Sequence, residues 1–194
     1  MVEIICISGL VGSGKDTVAD LVAKKLGFAR VKLSFKDAAK QMGISLMEYH
    51  AYVEKDLTID REFDKMVIKE ARKQDSVLST WLAAWLIPEA RLRVWLDASQ
   101  KTRAERISIR DGMSKQKAIK HVIERDKHNR GRYLALYGID LLDHSIFDLT
   151  INTEHFTPEQ IADIVVAAYK AKIEIRRENT EATTETNAET KTKA

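Results

Sequence analysis

The sequence predicts an α/β fold, a five-stranded, mainly parallel sheet with helices on both faces. Three observations carry this. Short β-rich apolar runs alternate along the chain with longer segments of helical periodicity, and parallel neighbouring strands need crossover helices of that kind. Glycines and capping residues punctuate the junctions between them. A chain of 194 residues, 44% hydrophobic and 31% charged, holds enough apolar material for one ordinary core and little for a second.

The elements follow in order. Ile4 to Ile7 reads as the first strand, stopping at Ser8 and Gly9, and Val18, Leu21, Val22 and Leu26 then recur at helical spacing until Gly27. Phe28 to Leu33 reads as the second strand. Ser34 with Asp37, and Ser45 with Glu48, have the spacing of capping boxes that open short helices. Ile59, Phe63, Met66, Val67 and Glu70 mark a longer helix ending near Lys73, before a third strand over Val77 to Ser79. Leu92 to Leu96 is the fourth strand, with Trp95 in the core. Helices are expected from about Gln100 to Arg110, Lys115 to His128 and Arg130 to Tyr137, with breaks at Gly112 and Gly138. Phe147 to Ile151 is the fifth strand. Thr157-Pro158-Glu159-Gln160 combines an N-cap, a proline at the first helical position and a polar third residue, so a last helix runs to about Ile175. Beyond Arg177 only Glu, Asn, Thr, Ala and Lys remain, which cannot offset ordering entropy by burial. One domain over 1–176 with a disordered tail over 177–194 is the expected organisation.

Composition excludes several classes. No run of about eighteen apolar residues exists, and Met1 leads directly into a strand, so a membrane span or secretory leader is not expected and the cytosol is. Cys6 is the single cysteine and reads as a buried thiol without a disulfide partner. The five histidines have no zinc-site spacing. A net charge of +3 gives no case for nucleic acid by itself, and a monomer is expected.

Gly9-Leu10-Val11-Gly12-Ser13-Gly14-Lys15 fits the P-loop pattern, and it lies after a strand and at the opening of a helix. Glycines let the backbone turn so that successive N–H groups point at phosphate oxygens, and the helix adds the positive end of its dipole. Lys15 reaches the β- and γ-phosphates. Asp16 occupies the position where the pattern puts the Mg²⁺-binding Ser or Thr, and Thr17 follows it. Gly9 to Thr17 are thus the nucleotide-binding candidates, with ATP and Mg²⁺ as ligands and Thr17 and Asp16 nearest the metal.

Arg103, Arg106 and Arg110 share one helix face, and Arg125, Arg130 and Arg132 follow. Phosphoryl transfer spreads charge over the transferring oxygens, so guanidinium groups on a closing lid suit it. A solvated face balanced by Glu105, Glu124 and Asp126 is the competing reading.

Ser45-Leu46 through Asp56, Ile59-Asp60-Arg61, Arg103-Ala104-Glu105-Arg106, Glu124-Arg125-Asp126, Arg132-Tyr133, Tyr137-Gly138-Ile139-Asp140 and Asp148-Leu149 to Asn152-Thr153 together resemble the archaeal-type cytidylate kinases, from Val2 to about Tyr169. The resemblance implies the P-loop nucleoside monophosphate kinase fold, ATP as donor, Mg²⁺ as ion and CMP or dCMP as acceptor. It also implies that Lys15 holds the transferring phosphate and that Arg106, Arg125 and Arg132 belong to a lid over about 103–135. The acceptor-binding helical part is expected over about 34–75. Asp148, Asn152 and Thr153 would lie near the donor base, or else serve as ordinary polar caps.

Two acceptor-side motifs differ from the family pattern. Similar proteins carry Ser-Ala-Gly, an acid and then Arg where this chain has Arg30-Val31-Lys32-Leu33 and Lys36. They carry Glu-Gly-Arg-Leu-Ala-Gly-Trp where this chain has Ser79-Thr80-Trp81-Leu82-Ala83-Ala84-Trp85. Three readings remain open. Asp16 restores the lost acid while Lys36 and Arg30 restore positive charge near the acceptor; or Trp81 and Trp85 stack on a different acceptor; or the tryptophans fill core. The expected function is ATP-dependent phosphoryl transfer to a nucleoside monophosphate. A kinase for another small phosphorylated acceptor, or an ATP-binding regulatory or RNA-associated module without turnover, are the alternatives.

Overall fold

The computed structural model describes residues 2–33, 35–45, 48–49 and 58–192. Its centre is a five-stranded parallel sheet in the order β2-β3-β1-β4-β5. The strands are β1 (Ile4–Ser8), β2 (Ala29–Val31), β3 (Ser76–Ser79), β4 (Leu92–Asp97) and β5 (Leu149–Asn152). The helices are α1 (Lys15–Leu26), α2 (Phe35–Met42), α3 (Thr58–Ala71), α4 (Ala83–Leu86), α5 (Gln100–Asp111), α6 (Lys115–Tyr137) and α7 (Pro158–Thr192).

Side-chain alternation along β1 divides the core. Ile5 and Ile7 pack with Val18 and Val22 of α1 and Ile161 and Val165 of α7. Ile4 and Cys6 point the other way, toward Val67 and Ala71 of α3 and Ala83 and Ala84 of α4. Successive residues of a strand face opposite sides, so one wholly buried strand feeds two layers. Burial pushes the Cys6 thiol far above its ordinary value, which keeps it an unreactive core group. Trp95 is 1% exposed and meets Trp85 and Phe147 edge to face at centroid separations of 6.1 and 5.3 Å. Trp85 is half-buried and packs on Trp95 and Phe147, the role that the core-filling reading gave to both tryptophans.

The capping signals act as their spacing predicts. Ser45 and Glu48 bond reciprocally at 2.8 and 3.2 Å, and Thr157 and Gln160 do so at 2.9 and 3.2 Å. Gly112 and Gly138 end α5 and α6 in the left-handed conformation. The proposed Ser34 cap and the side chain of Lys36 lie outside the described residues.

Three elements differ from expectation. The helices expected over Lys115 to His128 and Arg130 to Tyr137 are one continuous α6. A single interior Gly131 costs only about 1 kcal/mol against Ala, too little to break a helix that buries Ala118, Val122, Asn129 and Leu136. The short α4 was not anticipated. The last helix continues to Thr192, through the stretch expected to be a disordered tail. After Pro158 it contains no glycine or proline to stop it.

Candidate active site

β1 delivers the chain at Ser8 into a tight loop that opens α1. Gly12 and Gly14 adopt φ of 80° and 90°, a region costly for residues with a Cβ. A Cβ on Gly12 would sit 2.7 Å from the Arg103 carbonyl, and one on Gly9 would sit 2.6 Å from that of Leu96. No side chain caps α1, so its leading N–H groups are left for an external acceptor. Ser13 is buried, and among the described residues its hydroxyl has no hydrogen-bond partner.

These groups border a cavity of about 500 Å³ lined by Val11 to Val18, Trp81, Arg106, Arg110, Arg125, Thr153, Phe156 and Pro158, among others. Burial pushes the Lys15 ammonium below its ordinary value, with Arg125, Arg110 and Arg30 adding to the push and Asp16 opposing it. An uncapped helix start, an orphaned hydroxyl and a cation crowded by cations form a fitting receptor for a polyphosphate. Asp16 and Thr17 border the same cavity next to Lys15, which fits a divalent ion on that phosphate chain.

The arginines divide by structure. Arg103 is 2% exposed. It grips Asp126 in a bidentate pair at 3.1 and 2.7 Å and donates to the Val11 carbonyl at 3.2 Å, so it braces α6 and the loop from below. Arg106 donates to the Gly12 and Ser13 carbonyls at 3.3 and 3.4 Å and to the Thr153 hydroxyl and carbonyl at 2.8 Å. It joins the phosphate loop to the end of β5. Arg110 borders the cavity while paired with Asp111 at 2.7 Å. Arg125 borders it too, and among the described residues no carboxylate pairs with it. Arg132 does not line the cavity; it forms an ion pair with Asp60 of α3, which is 4% exposed.

The acceptor-side residues also separate. Trp81 lines the cavity, with the Lys15 ammonium 6.0 Å from its ring centre and Tyr133 at 6.4 Å. Arg30 does not line it. Its donors go to Asp20 at 2.7 Å, to the Val31 and Val77 carbonyls, to the Ser79 hydroxyl and to Asp16 at 3.5 Å. The Asp16 carboxyl, 60% exposed, accepts the Ser79 hydroxyl proton at 2.5 Å. Burial acts to raise it, but Lys15, the Ser79 hydroxyl, Arg30 and Lys32 outweigh burial and hold it below its ordinary value.

The model of the cytidylate kinase-like family matches residues 4–155. The chain belongs to that family. It is 44% identical over 167 residues to a cytidylate kinase of Thermococcus kodakarensis, covering 85% of this chain and 86% of the relative. It is 43% identical to a cytidylate kinase of Pyrococcus horikoshii, covering 85% and 87%. A shikimate kinase of Acinetobacter baumannii superposes with a TM-score of 0.57 at 16% identity, over 86% of this chain and 92% of that one, which places the sheet and helices in the P-loop kinase fold. Among the described residues no helix is long and apolar enough to cross a membrane.

Within this family frame, the strand-end residues resolve into two groups. Thr153 borders the cavity. Asp148 accepts the Arg93 N–H at 2.8 Å and pairs with Lys172, tying the start of β5 to β4 and α7, whereas Asn152 accepts the Glu154 N–H at 2.9 Å as a local cap. Phe156 and Pro158 were not singled out as site residues, and Arg110 only as one of the arginines on the lid face. The signal available for two of them was the helix start at Thr157, which had to follow the C-terminal end of β5, where ligands of open parallel sheets gather.

Proposed function

We propose that this family member is a cytidylate kinase, transferring the γ-phosphoryl group of ATP to CMP or dCMP. The observation that carries this reading is the convergence of orphaned loop donors, Lys15 and Arg125 in one cavity beside the phosphate loop, in a chain whose relatives bear that name. Lys15 and the N–H groups of Gly12 to Thr17 hold the donor phosphates. Arg106 and Arg125 neutralise oxygens whose negative charge spreads during transfer. Thr17 and Asp16 hold Mg²⁺, which supplies further charge neutralisation when bound. Trp81 walls the acceptor side. The α5–α6 hairpin acts as the lid and α2–α3 as the acceptor-binding part, closing to exclude water. We place the enzyme in the cytoplasm as a monomer.

A panel of ribo- and deoxynucleoside monophosphates with ATP and Mg²⁺ tests this. CMP and dCMP lead the panel, and Lys15→Ala lowers turnover by about a hundred-fold or more. Phosphorylation of no monophosphate above background, or a Lys15→Ala variant as active as the parent, overturns the reading.

A further inference from the structure

Three positions where the chain departs from its sequence patterns meet in space. Asp16 stands in place of the metal-binding hydroxyl of the phosphate loop, Arg30 in place of a small residue within β2, and Ser79 in place of the acid at the end of β3. Ser79 pairs in register with Ile7 of β1, one residue before the turn toward the phosphate loop. Its hydroxyl accepts from Arg30 and donates to Asp16 Oδ1, each at 2.5 Å.

Arg30 has five N–H donors, and the structure provides five acceptors: Asp20 for Nε, the Val31 and Val77 carbonyls for one terminal nitrogen, Ser79 and Asp16 for the other. No donor remains to grip an acceptor phosphate, which corrects the expectation that Arg30 binds substrate. The guanidinium is anchored from α1, β2 and β3 at once, and its side chain is 15% exposed. Fixed in this way, it orients the carboxylate. Asp16 Oδ1 is tied to Ser79 and Arg30, whereas Oδ2 is turned toward the Lys15 ammonium at 3.8 Å.

We infer that Arg30 and Ser79 are positioning residues that hold Asp16 as the acid of the phosphate cleft, moved from the end of β3 to the first turn of α1, so that Oδ2, the oxygen on the Lys15 side, would be available to a divalent cation carried by the nucleotide. The exchanges form one unit. An acid at position 79 would crowd the Asp16 carboxylate with like charge, a hydroxyl there relays a hydrogen bond to it, and Arg30 supplies the opposite charge that fixes it. This rests on the reading of the cleft as an ATP and Mg²⁺ site.

The test is the ratio of affinities for ATP with Mg²⁺ and ATP in chelator, measured by calorimetry on the full chain, since a variant that merely loosens the fold weakens both alike. Wild type prefers the metal-loaded form. Asp16→Asn lowers the preference about ten-fold, leaving metal-free ATP bound at least as well. Arg30→Met and Ser79→Ala each lower the preference in the wild-type background and leave it unchanged in the Asp16→Asn background. An Asp16→Asn variant with the full preference, or Arg30 and Ser79 effects of equal size in both backgrounds, overturns the inference. So does a wild-type protein that binds ATP without metal preference, and that outcome leaves the nucleotide site standing. A wild-type protein that binds ATP in neither condition removes the site and the inference together.

Discussion

Arg125 and Arg132 stand two turns apart on α6, yet only Arg125 borders the cavity. Arg125→Ala should lower kcat roughly a hundred-fold with little change in melting temperature, the mark of a group acting on transferring oxygens. Arg132→Ala leaves the buried Asp60 carboxylate without its ion-pair partner and should cost about 3 kcal/mol of stability, read by denaturant titration. Asp64 makes the same α3–α6 contact sensitive to pH. Burial pushes its carboxyl up to about 6 from an ordinary 3.8; the hydrogen bond from the Tyr137 hydroxyl and the charge of Arg132 oppose this, and Asp60 reinforces it. The folded state therefore holds this proton more tightly than the unfolded chain does. The contribution is fully present below about pH 4 and disappears as pH rises through about 6. Asp64→Asn should flatten the stability curve across that window by about 1–2 kcal/mol, after discounting for partial exposure. A curve as steep as that of wild type would remove Asp64 from the account.

At the scale of elements, what could be read in advance was what short-range chemistry specifies. The β1–loop–α1 unit was legible because glycine geometry, a lysine and a helix start all fall within one segment. The Thr157 cap was legible because Pro158 and Gln160 define it locally. Arg30 was not, since four of its five acceptors lie on distant residues of α1 and β3 that only folding brings together. The ion pair of Arg132, expected as a lid arginine, was hidden for the same reason: its partner Asp60 belongs to α3. The unbroken α6 shows that one glycine is weak punctuation when the buried face continues through it. Thr157→Ala tests how far a local signal reaches into function. Losing the cap should cost about 1 kcal/mol, and because Phe156 and Pro158 flank it on the cavity wall, ATP affinity should fall while kcat for bound substrate is kept.

Across the whole molecule, the order β2-β3-β1-β4-β5 places β1 between strands whose connections run in opposite directions along the sheet, and a crevice forms beyond the carboxyl ends at such a switch. The groups proposed to meet the nucleotide and its metal sit at that edge: the loop after β1, Asp16 facing Ser79 at the end of β3, and Arg106 and Arg125 reaching in from α5 and α6. A ligand there touches both halves of the sheet and the α5–α6 hairpin, so it binds the folded state and has nothing to bind in the unfolded one. ATP at about a hundred times its dissociation constant should then add about 2.7 kcal/mol of stability, a rise of roughly 5–10 °C in melting temperature for a domain of this size. Lys15→Ala should abolish the rise. Deleting residues 178–194 should lower the helical circular dichroism signal, because α7 is helical to Thr192, and should leave the ATP-induced rise intact, because among the described residues α7 enters the core through Ile161, Ala162, Val165 and Tyr169, with Ile173 packed against it. A truncated protein that no longer gains stability from ATP would mean that the end of α7 takes part in closing the cleft.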